Sequence, residues 1–492
     1  MILSKLAKAL NIENMGDVDV IGISHDTRSV RPGDLFVCLI GANHDGHMFI
    51  AEALDRGAAA IAVCSGREND VPKGIPYLSV VNTRESLPSL ASTLYGDPSN
   101  SLVVVGVTGT NGKTTITKMI ASILRSAGKR VGTIGTLGID LDGEIIDSDR
   151  TTPEADELQS VLKKMVDRKG DAVVMEVSSH AICEHRTESI GFDAAVFSNL
   201  TAEHLDYHIT MRAYFAAKAT LFTEYPNASA KKFVAAINID DPWGRQLTEI
   251  SRGTVLTYGI EKTSEVHAAD VRATDVKLAT EYSSFHVHTP NGDAAVRLSI
   301  GGAFQVSNAL SAIAVCLGLG IDLPTIVKGL AELRSVAGRF ESVPTGRDFQ
   351  VIVDYSHTPD ALQNLVDSAR ALNPGRLVTV FGCGGDRDTT KRPKMGRIAA
   401  DNCEVTIVTS DNPRTEDPNE IIRQIMVGME NPKAQVICES NRREAIHKAV
   451  KLAKARDIVL IAGKGHETYQ TVGKEVLPFD DRLVAREALA EL

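Results

Sequence analysis

The sequence predicts an α/β protein of three units: a central P-loop domain built on a parallel sheet, a small α/β domain before it and a Rossmann-like α/β domain after it. Three observations predict this. The 492 residues exceed what one ordinary core holds. Short runs apolar on both faces, the mark of buried parallel strands, recur in two separate series. A turn-rich segment, Gly96-Asp97-Pro98-Ser99-Asn100, precedes the first series, and the pattern restarts after Gly338. The expected domain limits are 1–98, 99–336 and 337–492.

In order, the N-terminal unit carries apolar runs at Asp34–Ile40, Ala59–Val63 and Tyr77–Val81 with helical stretches between them. The central series is Val103–Val105, Ala172–Met175, Ala194–Phe197 and Phe233–Ile237. Residues 266–300 change to two-residue alternation around Pro290-Asn291-Gly292, which predicts an antiparallel hairpin appended to the sheet. Ala303–Gly320 and Leu323–Leu333 read as helices, and the last series is Val351–Val353, Leu377–Val380, Val405–Val408 and Ile458–Ile461.

An apolar fraction of 43% and a charged fraction of 24% are those of a globular protein. The net charge of 53 − 63 = −10 argues against nucleic-acid binding by bulk electrostatics, so an anionic ligand needs a local set of donors. No apolar run is long enough to span a bilayer, and Met1–Leu10 lacks the apolar stretch of a leader. Seven dispersed cysteines, none at metal-ligand spacing, fit a reducing cytoplasm.

Polar signatures begin where apolar strands end, and in open parallel sheets ligands bind beyond the carboxyl ends of the strands. Gly106-Val107-Thr108-Gly109-Thr110-Asn111-Gly112-Lys113-Thr114-Thr115 joins a buried strand to a helix. Its glycines let backbone N–H groups curl round phosphate, Lys113 reaches the β/γ-phosphates and Thr114 offers a hydroxyl to Mg²⁺. The strict phosphate-loop pattern has Gly where this chain has Val107, so an ordinary Gly-rich turn is the competing reading. Glu176, ending the second strand, and His204 would complete Mg²⁺ coordination; spacing alone fits His204 equally well as a hydrogen-bonded residue at a helix start. Lys218 reads by composition as a solvated helix lysine.

Taken together the motifs resemble the Mur ligase family, in particular its diaminopimelate-adding branch. They are Asp26-Thr27-Arg28 with Pro32–Phe36, Gly109–Thr115, Thr151-Thr152-Pro153, Met175–His180, Asn199-Leu200, His204–His208, Asn308, Gly338–Glu341, Asp354–Pro359, Gly382–Arg387, Asp411–Arg414 and Ala462–Glu467. The resemblance implies a cytoplasmic, monomeric, ATP- and Mg²⁺-dependent amide-bond ligase of peptidoglycan precursor synthesis. Its implied substrates are UDP-muramoyl-L-alanyl-D-glutamate and meso-diaminopimelate, joined through an acyl phosphate.

By the same resemblance His25, Thr27, Ala42, Asn43 and His44 hold the uridine nucleotide sugar, although the family more often has Ser at 27 and another residue at 25. Thr151, Thr152, Ser178, Glu184 and Arg186 hold the muramoyl-dipeptide. Glu184 stands where relatives usually carry Gln, and a carboxylate facing an anionic substrate needs Arg186 or a metal to offset it. Lys218 corresponds to a lysine carried as a carbamate. Gly109, Thr110, Asn111, Gly112, Lys113, Thr114, Thr115, Asn308, Arg339, Asp354 and His357 form the ATP site. Arg387, Asp411, Asn412, Pro413, Arg414, Gly463 and Glu467 form the diaminopimelate site, in which the Arg414 fork suits the distal carboxylate that lysine lacks. Asp-Asn-Pro-Arg alone reads equally as a β-turn with an exposed Arg.

The rival readings are a related ligase adding lysine or glutamate, a folylpolyglutamate synthase included, and a P-loop switch or motor ATPase. The first leaves Arg414 and the Asp26-Thr27-Arg28 region unexplained; the second leaves the Asp411–Arg414 and Gly463–Glu467 loops unexplained.

Overall fold

The computed structural model describes residues 1–41, 44–260, 269–430 and 432–492. Ala42, Asn43 and residues 266–268 of the expected alternating segment lie outside the described residues.

The strand-like runs form three principal sheets. The first has five strands in the order Glu13–Met15, Tyr77–Val80, Ala60–Cys64, Asp34–Val37 and Gly22–Ser24, parallel except for Glu13–Met15. Helix Thr83–Tyr95 ends at Gly96 in left-handed conformation, and a single 3₁₀ turn, Pro98–Ser101, leads into strand Val103–Thr108. The turn-rich linker is therefore short and ordered.

The second sheet has eleven strands. Its parallel part runs Val271–Leu278, Thr254–Ile260, Val234–Asn238, Ala194–Phe197, Val103–Thr108, Ala172–Glu176 and Val131–Gly135. Alternate residues of one strand enter opposite cores. Val105 and Val107 pack under helices Lys113–Ser126 and Ala303–Gly318, while Val104 faces the layer of Ala155–Asp167 and Met211–Thr223. Burial on both faces is why these strands read as continuous apolar runs. The expected hairpin is present as Ser283–Thr289 paired antiparallel with Gly292–Leu298. A second antiparallel extension, Gly138–Leu141 and Glu144–Ile146 beyond Val131–Gly135, was not anticipated from the sequence.

The third sheet has six strands: Glu341–Val343 runs antiparallel to Gln350–Asp354, which continues through Ile458–Ala462, Leu377–Phe381, Val405–Val408 and Gln435–Cys438 in parallel. A separate hairpin, Tyr469–Val472 with Glu475–Pro478, also went unread in the sequence. Among the described residues no helix is long and apolar enough to cross a membrane, and all seven cysteines are free thiols.

One buried ion pair fastens the carboxyl-end loops of the third sheet. Arg442 and Asp481 have side chains 0% exposed and join through two bonds of 2.8 and 2.7 Å. The same guanidinium donates to the Ser410 and Ala462 carbonyls, just before Asp411 and Gly463. Arg442→Met, which leaves Asp481 charged and unpaired, should lower unfolding free energy by about 3–5 kcal/mol. Adding Asp481→Leu should recover much of that loss in urea titrations. A single variant as stable as the parent would show that the pair is not what fastens these loops.

Candidate active site

Loops from the central and C-terminal units enclose one cavity of about 510 Å³. Its wall includes Thr110–Thr115, Thr136, Thr151, Glu176, Asn199, Thr201, Glu203, His204, Asn308, Arg339, Asp354, His357 and Asp360. Two cross-unit contacts hold it shut. The Asp360 carboxylate accepts from Asn111 Nδ2 at 2.7 Å and from Thr201 Oγ1 at 3.0 Å. Arg339 Nη2 donates to Thr114 Oγ1 at 3.0 Å.

The phosphate loop is built by close approach. Gly109 has φ +144°, and a Cβ there would lie 1.9 Å from Ser198 Oγ; Gly112 has φ +90°, and a Cβ there would lie 2.5 Å from Asn308 Oδ1. No other residue fits these positions. The Thr110 and Asn111 N–H groups are already taken by the Asn199 backbone carbonyl and Oδ1, both at 2.9 Å. The amides left for an anion are those opening helix Lys113–Ser126, so the cradle is narrower than the glycine pattern implies.

Lys113 Nζ donates to Gly109 O at 3.0 Å and to Thr110 O at 2.8 Å. Loss of solvent draws its pKa below the ordinary lysine value, against the pull of Glu176 and Glu203. Lys218 corrects the expectation of a solvated lysine: it is 1% exposed, and its Nζ donates at 3.0 Å to that same Gly109 carbonyl. Burial, then the nearby Lys113 charge, brings its pKa well below the ordinary lysine value.

Glu176 is buried, and its two oxygens accept from Thr136 N at 2.9 Å and Thr136 Oγ1 at 3.2 Å. His204 has φ +57° and stacks edge-on to His180; burial and the neighbouring lysines lower its pKa despite Glu203, favouring a neutral imidazole. Glu203, absent from the sequence reading, lies 3.8 Å from His204 Nε2. Burial would raise its pKa, but His204, Lys113, His357 and Lys218 outweigh that and hold it below the ordinary value. Thr114, Glu176 and His204 thus line one cavity with hydroxyl, carboxylate and neutral imidazole donors, a set that fits a divalent cation beside phosphate. The buried Arg339 Nε has no protein partner, as suits a group aimed at an anionic ligand.

Asp354 lines the cavity, but its carboxylate accepts from Phe340 N at 2.7 Å and Ser356 N at 2.9 Å, so it shapes the loop. Asn308 is buried against Gly112 and bonds Gln305; His357 Nδ1 lies 2.9 Å from Tyr355 O.

The proposed dipeptide residues gather at the junction of the first two units. Thr152 Oγ1 donates to Glu176 O and accepts from Ser178 N, while Ser178 Oγ caps helix Ser179–Cys183. Thr151 Oγ1 lies 3.2 Å from Thr136 Oγ1 on the cavity wall. Glu184 is offset by Arg84, not by Arg186. Its carboxylate pairs with Arg84 of the N-terminal unit at 3.0 Å and accepts from Tyr207 OH at 2.9 Å. Arg186 pairs instead with the buried Glu154 at 3.0 Å, which Arg150 also meets. His25 is likewise committed to a cross-unit ion pair, 2.9 Å from Asp156. Thr27 opens a 3₁₀ turn and His44 is exposed beside Phe49.

The expected amino-acid residues surround the loops after Leu377–Phe381, Val405–Val408 and Ile458–Ala462. Arg414 has φ +53°, donates through Nη1 to Gly385 O at 2.8 Å, and is held by backbone bonds to Thr471 and Gly473 of the unforeseen hairpin. Arg387 is exposed across Gly384, where a Cβ would stand 3.0 Å from Arg414 Nη1 and 3.8 Å from Arg387 Cγ. Pro413 O packs on Gly385. Glu467 already binds the buried Lys464 at 2.9 Å and Asn412 Nδ2 at 2.8 Å; Lys464 was not picked out in the sequence. Asp411 Oδ2 is buried without a protein partner and faces Gly463.

The chain is similar to known proteins along nearly its whole length. The Mur ligase catalytic domain family matches residues 19–95, the Mur ligase middle domain residues 107–316, and the Mur ligase glutamate ligase domain residues 338–465. The UDP-N-acetylmuramoyl-L-alanyl-D-glutamate–2,6-diaminopimelate ligase of Syntrophomonas wolfei is 46% identical over 99% of both chains. That of Bacillus licheniformis is 42% identical over 100% of this chain and 99% of its own. A solved structure of an enzyme of that name, 32% identical, superposes with TM-score 0.66 over 96% of this chain and 95% of its own. MurF from Acinetobacter baumannii, 21% identical, shares the fold at TM-score 0.67 over 99% and 97% of the two chains. With matches in all three units and full-length relatives above 40% identity, the chain belongs to the Mur ligase family.

Proposed function

We propose that this chain joins meso-2,6-diaminopimelate to the D-glutamyl side-chain carboxylate of UDP-N-acetylmuramoyl-L-alanyl-D-glutamate, using ATP, in peptidoglycan precursor synthesis. The observation that carries the reading is the single cavity closed by Asp360 and Arg339 over the phosphate loop. The curated relatives bear the name of that reaction. The limits 1–98, 99–336 and 337–492 then divide the work among nucleotide-sugar, ATP and amino-acid binding. The protein is taken to act as a cytoplasmic monomer.

A carboxylate is a poor electrophile and must be activated. Its oxygen attacks the γ-phosphorus of ATP, giving an acyl phosphate and ADP. The amine then attacks the acyl carbon, phosphate leaves with the C–O bond, and the amine loses a proton. Lys113 and the helix N-terminal amides neutralise charge that develops on the phosphoryl oxygens. Mg²⁺, held by Thr114, Glu176 and His204, would supply further charge neutralisation there. The Asp360 and Arg339 contacts exclude water that would hydrolyse the acyl phosphate. Lys218, as a neutral amine, can take up carbon dioxide with loss of a proton, and the resulting carbamate removes its charge conflict with Lys113.

Arg84 makes the departure at Glu184 tolerable. It neutralises a carboxylate that would otherwise face an anionic dipeptide, and Arg186, held on Glu154 and Thr152 O, remains directed at that substrate.

Three measurements test the reading. In an amino-acid panel with product mass determined, meso-diaminopimelate should give the amide, and L-lysine should be used about 10⁴-fold less efficiently because it leaves the Arg414 fork unpaired; equal use of lysine would remove the specificity claim. Arg414→Ala should lower kcat/KM for diaminopimelate by about a hundredfold with ATP binding unchanged. Arg84→Ala should raise KM for the UDP-muramoyl-dipeptide by about tenfold, and adding Glu184→Gln should restore most of it. A double variant no better than Arg84→Ala would show that the pair is not what keeps the site receptive.

A further inference from the structure

Two imidazoles and a carboxylate lie together far from the reaction chemistry, on the hairpin that ends the large sheet. His286 and His288 are two residues apart on strand Ser283–Thr289, so both project from one face, while Ser283, Phe285 and Val287 are buried on the other. Asp293, on strand Gly292–Leu298, is the cross-strand partner of His288. His288 Nδ1 stands 2.9 Å from Asp293 Oδ2, and the two rings lie 5.1 Å apart, centroid to centroid. Candidate ligand atoms from all three residues fall within 4.8 Å of one another, and among the described residues this is the one such group of three.

An exposed His–Asp pair alone is worth little to stability, and it gives no role to the second imidazole. A metal ion does. We propose that His286, His288 and Asp293 form a surface site for a divalent transition-metal ion of the zinc, nickel or copper class, with water completing the coordination. Two nitrogen donors and one carboxylate favour these ions over Mg²⁺ or Ca²⁺, which take oxygen ligands. The antiparallel register sets the site without any loop rearrangement: His288 faces Asp293 on one side and Arg272 on the other, and Thr274 Oγ1 sits 3.1 Å from His288 Nε2, steadying the ring. Arg272 opposes a dication by simple repulsion, so binding depends on imidazole coordination more than on charge attraction. The strands Val271–Leu278, Thr254–Ile260 and Val234–Asn238 separate the hairpin from Ala194–Phe197 and the phosphate-loop strand, so the site is independent of catalysis.

The test is titration calorimetry of the full chain with Zn²⁺, in excess Mg²⁺ to occupy the nucleotide cavity, with Co²⁺ absorption as a second readout. The expected result is one Zn²⁺ per chain bound in the micromolar range or tighter. His286→Ala and His288→Ala should each weaken it at least tenfold and Asp293→Asn less, with ligase turnover unchanged in all three. Co²⁺ should gain visible intensity above that of the hydrated ion in the parent chain and lose it in the histidine variants. Where an alanine variant does not fold, the corresponding His→Gln variant takes its place. Affinity in the millimolar range, or affinity and Co²⁺ spectrum indifferent to these substitutions, overturns the proposal.

Discussion

Two lysine amines converge on one carbonyl oxygen, that of Gly109, and the geometry of the reaction centre follows from it. Lys113 reaches it from the start of its helix and Lys218 from Met211–Thr223, each at 3.0 Å. The carbonyl can point at both only because Gly109 adopts φ +144° with its Cα against Ser198, a conformation and a clearance that a side chain forbids. Two ammonium ions so close in a place shielded from water repel strongly, and the strain falls on the more buried of them. Burial and this repulsion draw the Lys218 pKa well below the ordinary value; Glu203 opposes the shift at both lysines, and Glu176 opposes it at Lys113 as well.

Polar contacts cross between the units, ion pairs joining the first to the second and hydrogen bonds joining the second to the third around the cavity. Asp360 sits on the phosphate loop, Arg339 on Thr114, Arg84 on Glu184 and His25 on Asp156, and each pair joins residues of different units. A ligand that bears its own charges can compete with them. Arg339 is the plainest case: one of its nitrogens spans to Thr114 while its buried Nε lacks a protein partner.

Much of this was legible in the residues, for a physical reason. Parallel strands covered by helices on both faces must be apolar at every position, so Val103–Thr108, Ala194–Phe197 and Ile458–Ala462 announce themselves without an alignment. The loops after Val103–Thr108, Ala172–Glu176, Ala194–Phe197 and Gln350–Asp354 line one cavity, as expected at the carboxyl ends of parallel strands. Short antiparallel strands such as Glu144–Ile146 and Glu475–Pro478 are exposed and mixed in polarity, and nothing in their composition separates them from loops. Residues whose role depends on a distant partner were equally hidden. Asp360 looks like a helix-start acid, Lys464 like one more loop cation, and Lys218 like a surface lysine until helix Met211–Thr223 is laid against the phosphate loop. His25 and Glu184, the departures from the family pattern at those positions, similarly made sense only once Asp156 and Arg84 were seen across the junction.

If the last unit takes the amino acid, as proposed, its choice depends on how the charges there are already spent. Glu467 has Lys464 and Asn412 as partners, so it is a less avid receptor for an incoming ammonium than an isolated carboxylate would be. Asp411, by contrast, keeps a buried oxygen without a protein partner beside Gly463, where glycine leaves room for a ligand atom to approach. Arg414 is fixed at backbone and at one guanidinium nitrogen, which leaves the rest of its fork pre-oriented, while Arg387 across Gly384 remains exposed. On the proposed function, a ligand end that bears both an ammonium and a carboxylate would find complementary groups in Asp411 and Arg414. A ligand end that bears an ammonium alone satisfies the first and strands the second. On the proposed function, selectivity for a diamino diacid over a diamino monoacid would rest on this held guanidinium more than on pocket size.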